Sequence, residues 1–272
     1  MDNVWQILAK EAGLASGHLS LGVEALNKAN YAQQAYYYEA FFALSVGFER
    51  SAKLIIIVDY ALQNNDKIIS WSTLKKYGHD IHSLLQSVDL IAHKRGWEER
   101  ALPSSKISSA IIQTVSSFAK GNRYYGLDSL CGRPDIKTES DPVASWFSTV
   151  VVPILNKHYS EEHRKKDEEK AAFAEELMGS SSLIRHHSEL GEDINSYGEA
   201  SLRTAQIKRA TPYVRMYVLQ FARYLGYILS KLGDQAMIQQ IEDIPVFSDF
   251  FAIFNNEDDY FKRRKTWSMY RP

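Results

Sequence analysis

Three groups of residues in this chain have the types and spacing for chemistry. The first lies in the run YYYEAFFALSVGFERSAKLIIIVDY, residues 36–60, where Glu49, Arg50 and Lys53 stand among apolar neighbours. A carboxylate four residues ahead of a lysine is the favourable order for a helical ion pair. The same cluster could instead face a ligand groove or a twofold interface. The second group is split between His79-Asp80 in YGHDIHSLL and Arg123-Tyr124 in NRYYGLD. Brought together, His79 and Arg123 could hold a phosphate, the arginine stabilising charge and the histidine moving a proton. Asp80 would then fix the histidine tautomer. A purely structural reading stands beside this one. His79 or Asp80 caps a helix, Arg123 pairs with Asp128, and Tyr124 fills a core edge.

The third group is residues 201–231, which carry Arg203, Lys208, Arg209, Arg215, Arg223 and Lys231 and no acid. At the helical period Arg215 and Arg223 lie within about a quarter turn of each other. Tyr213, Tyr217, Tyr224 and Tyr227 are interleaved, a combination suited to phosphates and bases. Against a nucleic-acid role stand the acidic runs at 161–176 and 257–259, which can neutralise these arginines inside the fold. With 32 basic and 33 acidic residues there is no global field for a polyanion, so internal neutralisation is the expectation.

Other chemistry finds less support. His158 and His163 fall on different helix faces, and His186-His187 lie near Glu189, but no cysteine pair joins them. Structural zinc needs four grouped ligands, so no metal or cofactor is expected. There is no phosphate-cradling glycine loop and no GxSxG elbow. Cys131, the single cysteine, reads as a small apolar residue and suits a reducing cytoplasm. The opening MDNVWQILAKEAG has no basic region before an apolar run, unlike a secretory signal.

These residues must be positioned by helices. Residues 31–60 contain no proline and one glycine, Gly47, and are apolar nearly all round, as in a helix central to a core. Glu49, Arg50, Lys53 and Asp59 argue against a membrane span. Short helices are expected at 4–12 and 19–28, separated by a break at 13–17. Amphipathic helices follow at 79–95 and 104–120, the latter capped by Ser104 or Ser105. Residues 132–140, GRPDIKTES, make the best linker. Asp141-Pro142 opens a helix that is kinked or split at Pro153. Thr211-Pro212 repeats that signal for a helix to 232, stopped at Gly233-Asp234, with another at 235–242. No strand alternation stands out. The class is all-α, with a bundle at 1–132 and a helical extension at 141–272 packed on it.

In order, Glu49 and Lys53 in GFERSAKLI, then His79-Asp80-Ile81, then Arg123-Tyr124 form a pattern that resembles the HEPN superfamily. The resemblance covers about the first half of the chain, to Gly132. It implies a small helical bundle, a homodimer, and ligand-binding roles for Glu49, Arg50, Lys53, His79, Asp80, Arg123 and Tyr124. It also implies a setting in prokaryotic defence or toxin–antitoxin systems. One departure matters. HEPN ribonucleases carry an arginine, four to six residues, then a histidine, and none of the eight histidines here has an arginine at that spacing. The expectation is therefore a non-catalytic or degenerate module that binds RNA, a nucleotide or a protein partner. A metal-independent ribonuclease using His79 and Arg123 in an atypical site, or a structural subunit of a larger complex, are the alternatives.

Overall fold

A computed structural model describes residues 3–134, 141–179 and 184–267. Apart from a two-residue ladder pairing β1 (His186–His187) with β2 (Asp193–Ile194), the described elements are helical. The protein is all-α.

Helix α1 (Val4–Leu26) starts at Asn3, whose side chain accepts from the Trp5 amide at 2.9 Å while Gln6 reaches back to the Asn3 amide. The expected break at 13–17 does not occur. Ala12, Ala15, Leu19 and Val23 are buried against α2 (Ala35–Gln63), and the two helices approach closely at glycines. A Cβ at Gly22 would stand 2.6 Å from Leu44 Cγ, and one at Gly47 would stand 2.9 Å from Leu19. Each helical glycine costs roughly 1 kcal/mol relative to alanine, less than burial of this face returns. Helix α2 begins later than residue 31 because Asn30 accepts from the amides of Ala32 and Gln33 and turns the chain first. Phe41 and Phe48 are fully enclosed on α2, with Phe41 against Phe118 and Trp146 and Phe48 against Phe221.

Helices α3 (Trp71–Lys75), α4 (Ile81–Lys94) and α5 (Lys106–Lys120) open on Ser70, Asp80 and Ser105, each accepting from an amide three residues on. A 3-10 turn (Asn122–Tyr124) leads into the exposed α6 (Tyr125–Leu130). Most of the expected linker, 135–140, lies outside the described residues. Asp141 caps α7 (Pro142–Trp146), accepting from Val143 at 2.8 Å and Ala144 at 3.3 Å. Pro153 cannot donate to a carbonyl one turn back. The backbone widens into a π turn (Phe147–Val151) before continuing as α8 (Val152–His158).

After α9 (Glu161–Met178) comes α10 (Tyr197–Ile238), 42 residues long. Two boundaries expected within it are absent. Pro212 lies inside the helix, where Thr211 Oγ1 donates to the Ile207 carbonyl at 2.7 Å. Arg209 is tied to Asp167 on α9 before the proline, and residues 214–219 are buried after it, so packing on both sides carries the helix through. Gly233 does not stop the helix either. It admits the returning chain, since a Cβ there would lie 3.2 Å from the Pro245 carbonyl oxygen. Helices α11 (Ser248–Phe251) and α12 (Asp258–Arg263) then close over α10. A single buried cluster runs from Leu8 to Trp267 and joins both halves of the chain.

Buried polar groups tie the layers. Arg95, directly after α4, donates to Asp59 on α2 at 2.5 Å and to Gln235 on α10 at 2.5 Å. Glu189, between β1 and β2, is buried with Oε1 3.4 Å from the Tyr37 hydroxyl, while its Oε2 accepts no hydrogen bond among the described residues. Burial raises its carboxyl pKa above the ordinary 4.5. A raised acid favours folding in its protonated form. That stability is fully present below the ordinary value and is lost as pH rises through the folded one. Glu189→Gln is therefore expected to melt above the wild type at neutral pH, with the difference closing on acidification. Melting curves across the acid range check this, and a gap that widens at low pH would contradict it.

Candidate functional site

Helices α1 and α2, with Ile68 and Leu74 beside them, border an open groove of about 590 Å³. Its walls are mostly apolar, with Ile7, Val46, Leu54 and Ile57 among them, and its charges are Glu11, Glu49, Arg50 and Lys53. Arg50 turns across the groove to an ion pair with Glu11 on α1. Glu11 had no signal as its partner, because the pair spans 39 residues of sequence. Glu49 Oε1 accepts from Lys53 Nζ at 2.8 Å and meets His79 Nδ1 at 2.8 Å. A carboxylate can only accept, so Nδ1 carries the proton, and in the neutral imidazole Nε2 is the acceptor. The His79 side chain is 77% exposed, so the rest of the ring is open to solvent. Glu49 thus orients His79, a role the sequence reading gave to Asp80.

Asp80 is engaged elsewhere. It caps α4 through the Ser83 amide at 3.2 Å, accepts from Ser116 Oγ at 3.1 Å and pairs with Lys120. The Lys120 ammonium holds its carboxyl below the ordinary range, more than burial raises it. These contacts join the start of α4 to the end of α5, so His79 and Arg123 stand at the same end of the bundle. Their side chains do not meet: the Arg123 guanidinium lies 5.2 Å from the Tyr124 ring centroid, and both residues are exposed. Asp128 is paired with Arg133 at 2.8 Å rather than with Arg123. Tyr124 is on the surface rather than at a core edge, and so is Cys131.

The two arginines singled out on α10 point inward. Arg215 is buried and donates from Nε to the Phe261 carbonyl at 2.6 Å, from Nη1 to Asn27 Oδ1 at 2.6 Å and from Nη2 to the Lys262 carbonyl. Burial pushes its pKa down to about 10, so it stays charged at neutral pH. Arg223 donates to the Asn256 carbonyl at 2.8 Å and pairs with Asp258 at 3.0 Å. Neither guanidinium is left over for a phosphate.

Chemically, the Glu49–His79 pair is a carboxylate-oriented imidazole at the edge of an apolar groove, with Lys53 beside it. Among the described residues no three His, Cys, Asp or Glu side chains gather as a metal site, and no helix is long and apolar enough to cross a membrane. The chain matches no family model, no curated protein and no solved structure.

Proposed function

We propose that the protein is a degenerate, non-catalytic HEPN-like module that works as a homodimer, with the groove between α1 and α2 as its twofold interface. The groove and its projecting neighbours carry this reading. In its lining Ile7 is 47% and Ile68 44% exposed, so the apolar wall of the groove includes side chains that stand out into solvent. A twofold interface needs one patch that supplies both projection and hollow, and this face has both. Its charges come in opposite pairs, Glu11 with Arg50 and Glu49 with Lys53, so a second copy meets no net repulsion. A purely catalytic use of the same end is less supported, since Arg123 lies against Tyr124 and the ribonuclease spacing is missing. A prokaryotic defence or toxin–antitoxin setting, and RNA, a nucleotide or a protein as the dimer's target, follow from the resemblance, and a cytoplasmic location from the single cysteine.

Light scattering after size exclusion tests the dimer. The wild type is expected at twice the 31.1 kDa of one chain, and Ile7→Asp at the mass of one chain with unchanged helicity. A wild type that stays single at every concentration, or an Ile7→Asp variant that stays paired, rules the interface out.

A further inference from the structure

A second hollow, of about 550 Å³, lies in the C-terminal half where the end of α8, the start of α9, the middle of α10 and α12 meet. Three joints build it. Ser160 caps α9 directly after α8 ends, bringing His158 and His163 to one side. Arg209 on α10 is locked to Asp167 on α9 at 2.8 and 3.2 Å. Arg215, six residues further along α10, grips the backbone of α12 and so fixes where Lys262 and Arg263 emerge.

The walls are unlike those of the groove. They carry Lys208, Arg209, Lys262 and Arg263 with His158 and His163, against one acid, Asp259. Two of these cations are balanced, Arg209 by the buried Asp167 and Lys262 by Asp259 at 2.6 Å. Lys208 has no hydrogen bond or ion pair with any described residue. Arg263 makes one bond, from Nε to the Asp259 carbonyl at 3.2 Å. Lys157, just behind, donates to the Tyr217 hydroxyl at 3.0 Å and has no acidic partner among the described residues. The hollow therefore holds uncompensated positive charge although the chain as a whole carries a formal net charge of −1. His158 registers it: burial lowers its pKa, and the charges of Lys157 and Lys262 lower it further. The Tyr213 ring is already engaged, stacked on His158 at 3.9 Å with Lys262 Nζ 5.7 Å from its centroid. The walls thus recognise charge rather than a base.

We propose that this hollow is an oligophosphate-binding site, in which Lys208 and Arg263 contact the phosphates and Arg209 and Lys262 hold the surrounding field. Groups of lysine and arginine converging from separate elements bind linked phosphates by charge-assisted hydrogen bonds, and the volume falls within the range of ordinary ligand sites. The phosphates could come from the tail of a nucleotide or from the backbone of a single nucleic-acid strand. The site lies on the C-terminal extension and needs neither the dimer nor the groove.

Calorimetric titration of the intact chain with tripolyphosphate at low salt tests it. Saturable binding is expected, weakened about tenfold or more by Lys208→Glu and by Arg263→Glu, a loss typical of a charge-assisted contact. Both side chains are exposed, so the variants should keep the wild-type melting curve. ATP and a short oligouridylate then separate the sources. Displacement of tripolyphosphate by ATP alone assigns a nucleotide. Displacement by the oligomer, with a salt slope of about 0.7 per phosphate contacted, assigns a strand. No binding of tripolyphosphate by the wild type, or binding that both substitutions leave intact, overturns the site. Either result is independent of the oligomeric state read in the groove experiment.

Discussion

Replacing Phe48 with alanine is expected to lower the unfolding free energy by about 3–5 kcal/mol, the range for a buried aromatic truncated in a core. Phe48 is fully enclosed on α2 and meets Phe221 of α10 edge-to-face with ring centroids 5.9 Å apart. Its site joins the two longest helices of the fold. The cavity should collapse poorly. Next to it Gly47 already brings α2 against Leu19 of α1 as closely as the backbones allow, so neither neighbour can move in to fill the gap. Urea unfolding with an unchanged slope and a lower midpoint is the expected signature. A midpoint close to wild type would place Phe48 in a loosely packed region and remove α2 from the centre of the core.

Arg215→Met is expected to cost about 3 kcal/mol or more, because it strands buried acceptors that a methionine cannot satisfy. Three acceptors lose a common partner: the Phe261 and Lys262 carbonyls of α12, and Asn27 Oδ1 just after α1. Asn27 in turn holds the Lys265 carbonyl at 2.8 Å, and Glu24 holds the Trp267 amide at 2.6 Å. The C-terminal segment is thus fastened to the end of α1 by the buried guanidinium together with these two bonds, and Trp267 is sealed against Phe254 and Phe261. Limited proteolysis should cut the variant after residue 260 well before the wild type. For the same reason, replacing Arg215 and Arg223 together should cost stability and leave any RNA affinity of the folded fraction unchanged. A variant with wild-type stability and protease resistance would show that water or a neighbouring donor satisfies these carbonyls.

Much of the helical architecture was legible because it is local. Asp141-Pro142, Asp80 and Ser105 cap the helices they precede, since a side-chain acceptor two or three residues from an orphan amide needs nothing distant. The apolar surface around Phe48 marked α2 as a central element. The Glu49–Lys53 pair followed from helical spacing alone. The basic character of residues 201–231 was also visible, but not which cations stay uncompensated.

Tertiary structure decided what depends on partners far away in sequence. Local rules break the chain at 13–17, Pro212 and Gly233, yet α1 and α10 run through all three. A glycine or proline costs at most a few kcal/mol, whereas each of these helices buries a long face. Glu11 opposite Arg50, Glu49 beside His79, and α12 under Arg215 are pairings across 39, 30 and 46 residues that no spacing rule contains. The basic hollow arose the same way. Arg215 is held by carbonyl and amide oxygens and Arg223 by Asp258, while Lys208 and Arg263 stay on the surface, because electrostatics depends on the distances between charges rather than on their order along the chain.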